Sequence, residues 1–274
     1  MTHIITALFL LVATLQMYSQ ARTQIEMTNK AGLNWGSVMK IDKKSRFQDV
    51  LAHDATGSYI LKTGKKGKSI EKLNNNLMVE NSMILPLAYQ KKKMDLEGLI
   101  FFNEKIIMLS SFNDKKQKKN YLFYQVINPS SLTLDGSMRN VGEIIYEKRR
   151  FKGDFGFDIA ADSSRMLLFF EMPYKKDAAE KYSFKVMDSK LDEIWSQEVE
   201  LPYKEQFFTV KDSEVSGNGD VFVLGKEYNE DKNSKAMRDL PNYKYHILGY
   251  YNKGEKIVDY EVSLHDKFIK NVTF

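Results

Sequence analysis

The chain has 274 residues, with 41 lysines and arginines against 36 aspartates and glutamates, which gives a formal net charge of +5 at pH 7. It contains no cysteine, so a disulfide scaffold, a thiolate metal site and a cysteine nucleophile are excluded. Hydrophobic residues make up 43% and aromatic residues 12% of the sequence. This composition provides material for a large core, excludes global disorder and favours β-strands.

The first residues have the pattern of an export signal. The apolar run Ile4–Leu15 is too short to span a bilayer, which takes about 20 residues, and the small residues Ser19 and Ala21 follow it. We therefore predict a signal peptide over residues 1–21 and a mature protein that is secreted or periplasmic in a bacterium, with no transmembrane helix. Because no lysine or arginine precedes the apolar run, an uncleaved anchor or a buried strand stays open.

The remainder divides into a polar N-terminal segment, residues 22–46, and a repeat domain, residues 47–274. The clearest repeat unit lies near the C-terminal end, and turn residues separate its apolar runs as in an antiparallel meander. The runs of this unit are Phe207–Val210, Val221–Leu224, Tyr243–Tyr251 and Ile257–Leu264.

Three earlier units with the same order of strands and turns begin at Phe47, Leu99 and Phe155, and Phe268–Phe274 has the pattern of a further opening strand. A four-strand unit that recurs about every 50–60 residues is typical of a β-propeller, in which each blade is a four-stranded sheet. On this pattern the sequence resembles a degenerate β-propeller of the TolB-like or WD40-like kind. We expect an all-β fold of four-stranded antiparallel blades, about four of them plus the start of a fifth, in a set that need not close into a ring.

No motif of a particular propeller subfamily is present, such as a Trp-Asp dipeptide or a Gly-Gly pair. The resemblance therefore implies no binding or catalytic residue. A β-sandwich with irregular hairpins is the alternative architecture.

The residue types of catalysis and metal binding form no recognisable motif. The four histidines include no pair at metal-ligand spacing, and no Gly-x-Ser-x-Gly sequence is present. Gly217-x-Gly219 precedes a strand, whereas a dinucleotide site needs a helix there. We therefore predict a hairpin turn at that position, no catalytic residue, no metal site and no cofactor. His246 lies in an apolar strand and is expected to be packed or at a rim.

The charges are distributed unevenly between loops. In an antiparallel unit with strands a to d, the a–b and c–d turns lie at one end, and the b–c loops and d–a connections lie at the other. The b–c loops and d–a connections are rich in lysine and arginine, whereas the turns are mostly acidic. We predict a basic loop face formed by Lys65, Lys66, Lys68, Lys91, Lys92, Lys93, Lys115, Lys116, Lys118, Lys119, Arg149, Arg150, Lys175 and Lys176.

A basic face of this kind points to a non-catalytic binding or scaffold module with an anionic partner: a polysaccharide, a lipid head group or a protein. The lysine clusters lack interleaved aromatic residues and arginines, so we expect no nucleic-acid partner. Lysine-rich loops that only keep the protein soluble are the simpler interpretation. The alternative function is a propeller-type hydrolase of glycans or peptides, which requires acids from different innermost strands within about 5–10 Å of each other.

Overall fold

Strands and tight turns alternate along the computed structural model, which describes residues 46–229, 242–262, 269 and 271–274. The predicted signal peptide, residues 1–21, and all of the N-terminal segment 22–46 except its last residue lie outside the described residues. Those two predictions therefore stay predictions.

The strands form four sheets of four, numbered here in chain order. Sheet 1 contains β1 (Arg46–Asp54), β2 (Gly57–Gly64), β3 (Gly67–Leu73) and β4 (Val79–Ile84). A small hairpin follows, with β5 (Ala88–Tyr89) and β6 (Lys92–Lys93). Sheet 2 contains β7 (Asp95–Phe102), β8 (Lys105–Asp114), β9 (Lys119–Asn128) and β10 (Thr133–Ile145).

The second half of the chain repeats the same plan. Sheet 3 contains β11 (Asp154–Ile159), β12 (Arg165–Glu171), β13 (Ala179–Asp188) and β14 (Glu193–Lys204). Sheet 4 contains β15 (Phe208–Val215), β16 (Val221–Tyr228), β17 (Tyr243–Tyr251) and β18 (Lys256–Val262). One-turn 3-10 helices, Arg149–Phe151 and Glu205–Phe207, precede β11 and β15.

Every sheet is an antiparallel meander in which consecutive strands are neighbours. This is the four-strand unit that the sequence predicts, and the all-β fold class is confirmed. In the described part of the chain, no helix has the length and apolar character that a membrane span requires.

β8 shows how neighbouring sheets are joined. Ile106 and Met108 belong to a core cluster shared with sheet 1, and Ile107 and Leu109 belong to a cluster shared with sheet 3. Successive side chains of a strand point to opposite faces, so both faces of sheet 2 are buried. The run of apolar residues in β8 is therefore continuous and does not alternate with polar ones.

Sheet 3 is buried on both faces in the same way. Met166 and Leu168 of β12 pack towards sheet 2, while Leu167 and Phe169 pack towards sheet 4. The first strands of successive sheets also contact one another, β1 with β7, β7 with β11 and β11 with β15. Sheets packed in series with their first strands together form the arrangement of propeller blades, not the two-sheet core of a sandwich.

The b–c loop and the d–a connection of a sheet meet at one end of the sheets, which we call the loop end. Tyr146 N, after β10, donates to Lys118 O in the b–c loop of sheet 2, at 3.0 Å. Glu205 N, after β14, donates to Ala178 O in the b–c loop of sheet 3, also at 3.0 Å. These hydrogen bonds hold the predicted basic segments against each other.

The a–b and c–d turns of neighbouring sheets meet at the opposite end, which we call the turn end. Asn103 Nδ2, in the a–b turn of sheet 2, donates to Ser189 O in the c–d turn of sheet 3, at 3.2 Å. Trp195 Nε1 donates to Gly219 O in the a–b turn of sheet 4, at 2.9 Å. The Gly217-x-Gly219 sequence is therefore a hairpin turn, as predicted, and it also joins two sheets.

The predicted opening strand of a fifth unit, Phe268–Phe274, does not form over Ile269 and residues 271–274. Its other positions, Phe268 and Lys270, lie outside the described residues. Tyr243 Oη donates to Ile269 O at 2.9 Å, so a side chain occupies a carbonyl that strand pairing would use.

A methyl group added at Gly225 of β16 should destabilise the protein. An alanine Cβ there would lie 2.0 Å from Phe208 Cζ, and Phe208 is 2% exposed and stacked on Tyr203 with ring centroids 4.8 Å apart. We expect Gly225→Ala to lower the free energy of unfolding in urea by about 1–3 kcal/mol, as overpacking does. Gly64→Ala is the control, because its Cβ meets nothing closer than 3.9 Å. Equal stability of the two variants would contradict the packing described here.

Candidate binding site at the loop end

The cations of the predicted basic face lie in the segments that form the loop end. They occupy the β2–β3 turn and the start of β3 (Lys65, Lys66, Lys68), the β5–β6 hairpin (Lys91, Lys92, Lys93), the β8–β9 loop and the start of β9 (Lys115, Lys116, Lys118, Lys119), the helix before β11 (Arg149, Arg150) and the β12–β13 loop (Lys175, Lys176). The β16–β17 loop, in which the sequence also has Lys232, Lys235 and Arg238, lies outside the described residues except at its two ends.

Most of these cations are available to a partner. Within the described ranges, Lys119 is the one that forms an ion pair, with Nζ 2.5 Å from Glu143 Oε1. The others have no carboxylate oxygen of a described residue within 4.0 Å. All except Lys68 and Lys119 are exposed. Uncompensated charges of one sign raise the local potential and attract anions.

The acids of the turn end serve the turns themselves. Asp54 Oδ1 accepts hydrogen bonds from Thr56 N at 2.7 Å and Gly57 N at 3.1 Å. The N–H group of Asp192 donates to Asp188 Oδ1, and this bond lowers the pKa of the Asp188 carboxyl. These side chains shape turns, which is the ordinary role of aspartate there.

A cleft of about 770 Å³ opens at the loop end, between the β10–β11 connection and the β12–β13 loop. Its lining includes the rings of Phe151 and Tyr174, whose centroids are 5.2 Å apart. The Arg150 guanidinium lies 4.6 Å from the centroid of Phe151. The cleft thus combines an aromatic wall with cations at its rim, Lys148, Arg150, Lys175 and Lys176 among them.

The cleft also contains the carboxyls of Glu147 and Glu205. An adjoining pocket of about 490 Å³ shares Arg150, Phe151, Met172, Tyr174 and Glu205 with the cleft and adds further glutamates. Glu171 comes from the end of β12, Glu180 from the start of β13 and Glu205 from the helix before β15. We call these three side chains the glutamate cluster. Asp154 of β11, which pairs with Glu171, lines the same pocket. Four acids that are distant in sequence therefore lie beside the predicted basic face, where the sequence pattern predicts only cations.

Glu180 is the buried member of the glutamate cluster. Its residue is 5% exposed, and no hydrogen bond or ion pair to its carboxyl occurs in the described part of the chain. Burial, followed by the charges of Glu205 and Glu171, raises the pKa of Glu180 to about 8. The Glu180 oxygens are not among the fully buried, unpartnered atoms of the described residues, so they open to the pocket that Glu180 lines.

The other two acids sit in different surroundings. Glu205 Oε2 accepts a hydrogen bond from Lys175 N at 2.6 Å, which ties the β12–β13 loop to the next connection. Burial and the Glu171 charge raise the pKa of Glu205, against the opposite effect of the Lys175 N–H. Glu171 is exposed at the end of β12, and desolvation by the residues packed around it, followed by the Asp154 charge, raises the pKa of its carboxyl. None of the three is paired with an arginine or lysine side chain within the described segments.

One position of the glutamate cluster could have been found from the sequence. In β13, Glu180 falls on the same alternating face as Tyr182 and Phe184, which are buried. An acid at a core position of an alternating strand is a candidate functional residue. Glu171 and Glu205 give no such signal, because their nearness depends on how β12, β13 and the following connection pack.

The first strands of sheets 3 and 4 bring other acids together. Asp158 Oδ2 of β11 accepts a hydrogen bond from Val215 N of β15 at 3.0 Å. Burial raises the pKa of Glu214, and the charges of Asp158 and Asp212 raise it further. Acids from two innermost strands therefore interact, which is one part of what a hydrolase would need. In the described ranges, no group of three potential ligands has the geometry of a metal site.

His246 of β17 is packed, as expected, and it also lies in a polar network. Its residue is 5% exposed. Nδ1 lies 2.9 Å from Asp259 Oδ1 and Nε2 lies 3.1 Å from Glu227 Oε2. Tyr203 Oη donates to Asp259 Oδ2 at 2.9 Å. The network joins β14 to sheet 4, so its role is to hold the third and fourth sheets together.

Comparisons with known proteins give no family. No family model and no curated protein matches the chain. Among solved structures, the β-propeller domain of the trilobed protease from Pyrococcus furiosus is 14% identical with a TM-score of 0.41, over 82% of this chain and 58% of that one. Hydrazine synthase from Kuenenia stuttgartiensis is 10% identical with a TM-score of 0.36, over 82% of this chain and 69% of that one. The fold described above rests on strand pairing and packing, not on these scores.

The buried Glu180 should make stability depend on pH. Its pKa is about 8 in the folded protein and about 4.3 in the unfolded chain, so between these values the folded state holds the extra proton. The free energy of unfolding therefore falls as pH rises from about 5 to 8. We expect Glu180→Gln to have a shallower slope than the unmodified protein in urea titrations across this range. Glu198→Gln, at an exposed position of β14, is the control. If the free energy of unfolding has the same slope against pH in Glu180→Gln and in the unmodified protein, the raised pKa of Glu180 is contradicted.

Proposed function

We propose that this protein is an exported, non-catalytic β-propeller module that holds an acidic polysaccharide at its loop end. The observation that carries the proposal is the set of exposed lysines and arginines at the loop end that have no carboxylate partner among the described residues. Anionic ligands are attracted by such a surface from a distance and held there by direct ion pairs.

The aromatic cleft favours a polysaccharide over a lipid surface or a protein. The rings of Phe151 and Tyr174 lie next to Lys148, Arg150 and Lys175. The apolar face of a sugar ring packs on an aromatic ring, and its carboxylate or sulfate groups then reach the cations at the rim. A concave site with an apolar wall and a few polar groups is the usual form of a small-ligand subsite. Export through residues 1–21 would bring such a module to the polysaccharides outside the cytoplasm.

Binding should depend on the loop-end cations and on salt. We expect the protein to bind a sulfated or uronic-acid polysaccharide with an affinity that falls about tenfold or more between 50 and 200 mM salt, since ion pairs at an exposed surface are screened. Lys115→Gln/Lys116→Gln should weaken binding about five- to tenfold at low salt, because each exposed ion pair contributes up to about 1 kcal/mol. The measurement is isothermal titration at both salt concentrations.

The matched control is Lys190→Gln/Lys253→Gln, which removes the same charge from exposed c–d turns at the turn end. Equal weakening by the two double variants would mean that net charge alone matters and would overturn the loop-end proposal. Binding to anionic vesicles or to an acidic protein with no binding to polysaccharides would replace the partner but keep the surface.

Hydrolysis of a glycan is the second candidate, favoured by the interaction of Asp158 with Glu214 between two innermost strands. A glycosidase pairs an acid of raised pKa with an ionised one. The expected result for this candidate is a release of reducing ends from the bound polysaccharide that Glu214→Gln abolishes without loss of binding. If the unmodified protein releases none from any polysaccharide that it binds, this candidate is removed.

A further inference from the structure

The glutamate cluster has no role in holding an anion, and it would repel one. It lies in the same 490 Å³ pocket as Arg149, Arg150 and Lys152. In the part of the chain that the structure describes, no ion pair joins these cations to the glutamates. The pocket therefore presents both signs of charge to whatever enters it, and among the described residues no ion pair neutralises the glutamates or these three cations.

We propose that this pocket binds an ammonium group of the polysaccharide, so that the ligand is a glycan with free amino groups next to its anionic groups. The proposal rests on the proposed function for the anionic half of the ligand. Its own support is Glu180, a residue 5% exposed whose side chain lines the pocket and whose carboxyl has no partner among the described residues. A primary ammonium has three N–H donors and a charge of the right sign for three carboxylates.

The positions of the charged groups fit a ligand of mixed charge. Glu180, Glu205 and Glu171 line the pocket, and the charges of Glu205 and Glu171 act on the Glu180 carboxyl. Glu171 is the last residue of β12. Arg149 and Arg150 are exposed at the β10–β11 connection. Phe151 and Tyr174 line both the pocket and the larger cleft, so a chain of sugar rings can pass along them from one to the other. The amino group would enter at the glutamates, while sulfate or carboxylate groups of the same chain would meet the arginines.

The proton on Glu180 fits this role. With a pKa of about 8, the carboxyl is mainly neutral at pH 7 in the free protein, which limits the cost of its burial. An ammonium group at hydrogen-bond distance would favour the ionised form. The Glu180 carboxyl is therefore mainly neutral without a ligand and becomes ionised when a cation enters beside it.

The test compares two polymers that differ in one group. De-N-sulfated heparin has free amines, and its re-N-acetylated form has acetamides in their place, while both keep carboxylates and O-sulfates. We expect the unmodified protein to bind the free-amine polymer about ten- to a hundredfold more tightly, since a charge-assisted hydrogen bond contributes about 1.5–3 kcal/mol. Glu180→Gln should remove most of this preference and leave affinity for the acetylated polymer unchanged. Glu198→Gln on the neighbouring strand is the matched control and should keep the preference.

The outcomes separate the two proposals. Equal binding of the two polymers by the unmodified protein overturns the ammonium site and leaves the anionic-partner proposal standing. If neither polymer binds, the proposed function fails. The ammonium site is then tested by comparing the binding of glucosamine and N-acetylglucosamine at about 10 mM. Equal binding of these two sugars overturns the ammonium site as well. If Glu180→Gln does not fold, Glu171→Gln takes its place, and an unchanged preference in that variant overturns the proposal.

Discussion

Neighbouring sheets pack face to face through strands that are apolar on both faces, and the rest of the structure depends on this packing. β8 presents Ile106 and Ile107 to opposite neighbours, and β12 does the same with Leu167 and Leu168. A strand that alternated apolar and polar residues would cover one neighbour only, and the series of sheets would stop there. Because each sheet is a meander, the packing also gathers the b–c loops and d–a connections at one end.

The two ends use their polar groups differently. At the turn end, the Asp54 carboxylate accepts a hydrogen bond within its own turn, and the Trp195 N–H donates to a carbonyl of the next sheet. At the loop end, Lys115 and Lys116 have no ion-pair partner in the described ranges, and the Glu180 carboxyl has none either. In binding proteins the sheets usually form a rigid scaffold, and the groups that contact the partner lie on its loops.

The units, their strand order and the positions of the basic loops could be predicted because their signals are local. Turn residues such as Gly217 and Gly219 separate short apolar runs, and a meander by itself decides which loops share an end. The glutamate cluster could not be predicted in the same way. Glu171, Glu180 and Glu205 lie on three elements. Their proximity depends on the β12–β13 register, in which Glu171 pairs with Tyr182, and on the path of the connection to β15. Such long-range geometry has no counterpart in the sequence pattern.

The central claim is that the loop end, and not the turn end, is the binding surface. Amide hydrogen exchange with and without an acidic polysaccharide tests it most directly, because it maps contact without any substitution. Slower exchange on binding is expected in the β8–β9 loop, in Arg149–Phe151 and in the β12–β13 loop. Protection confined to the a–b and c–d turns, or no change anywhere under conditions in which the polysaccharide binds, would contradict it.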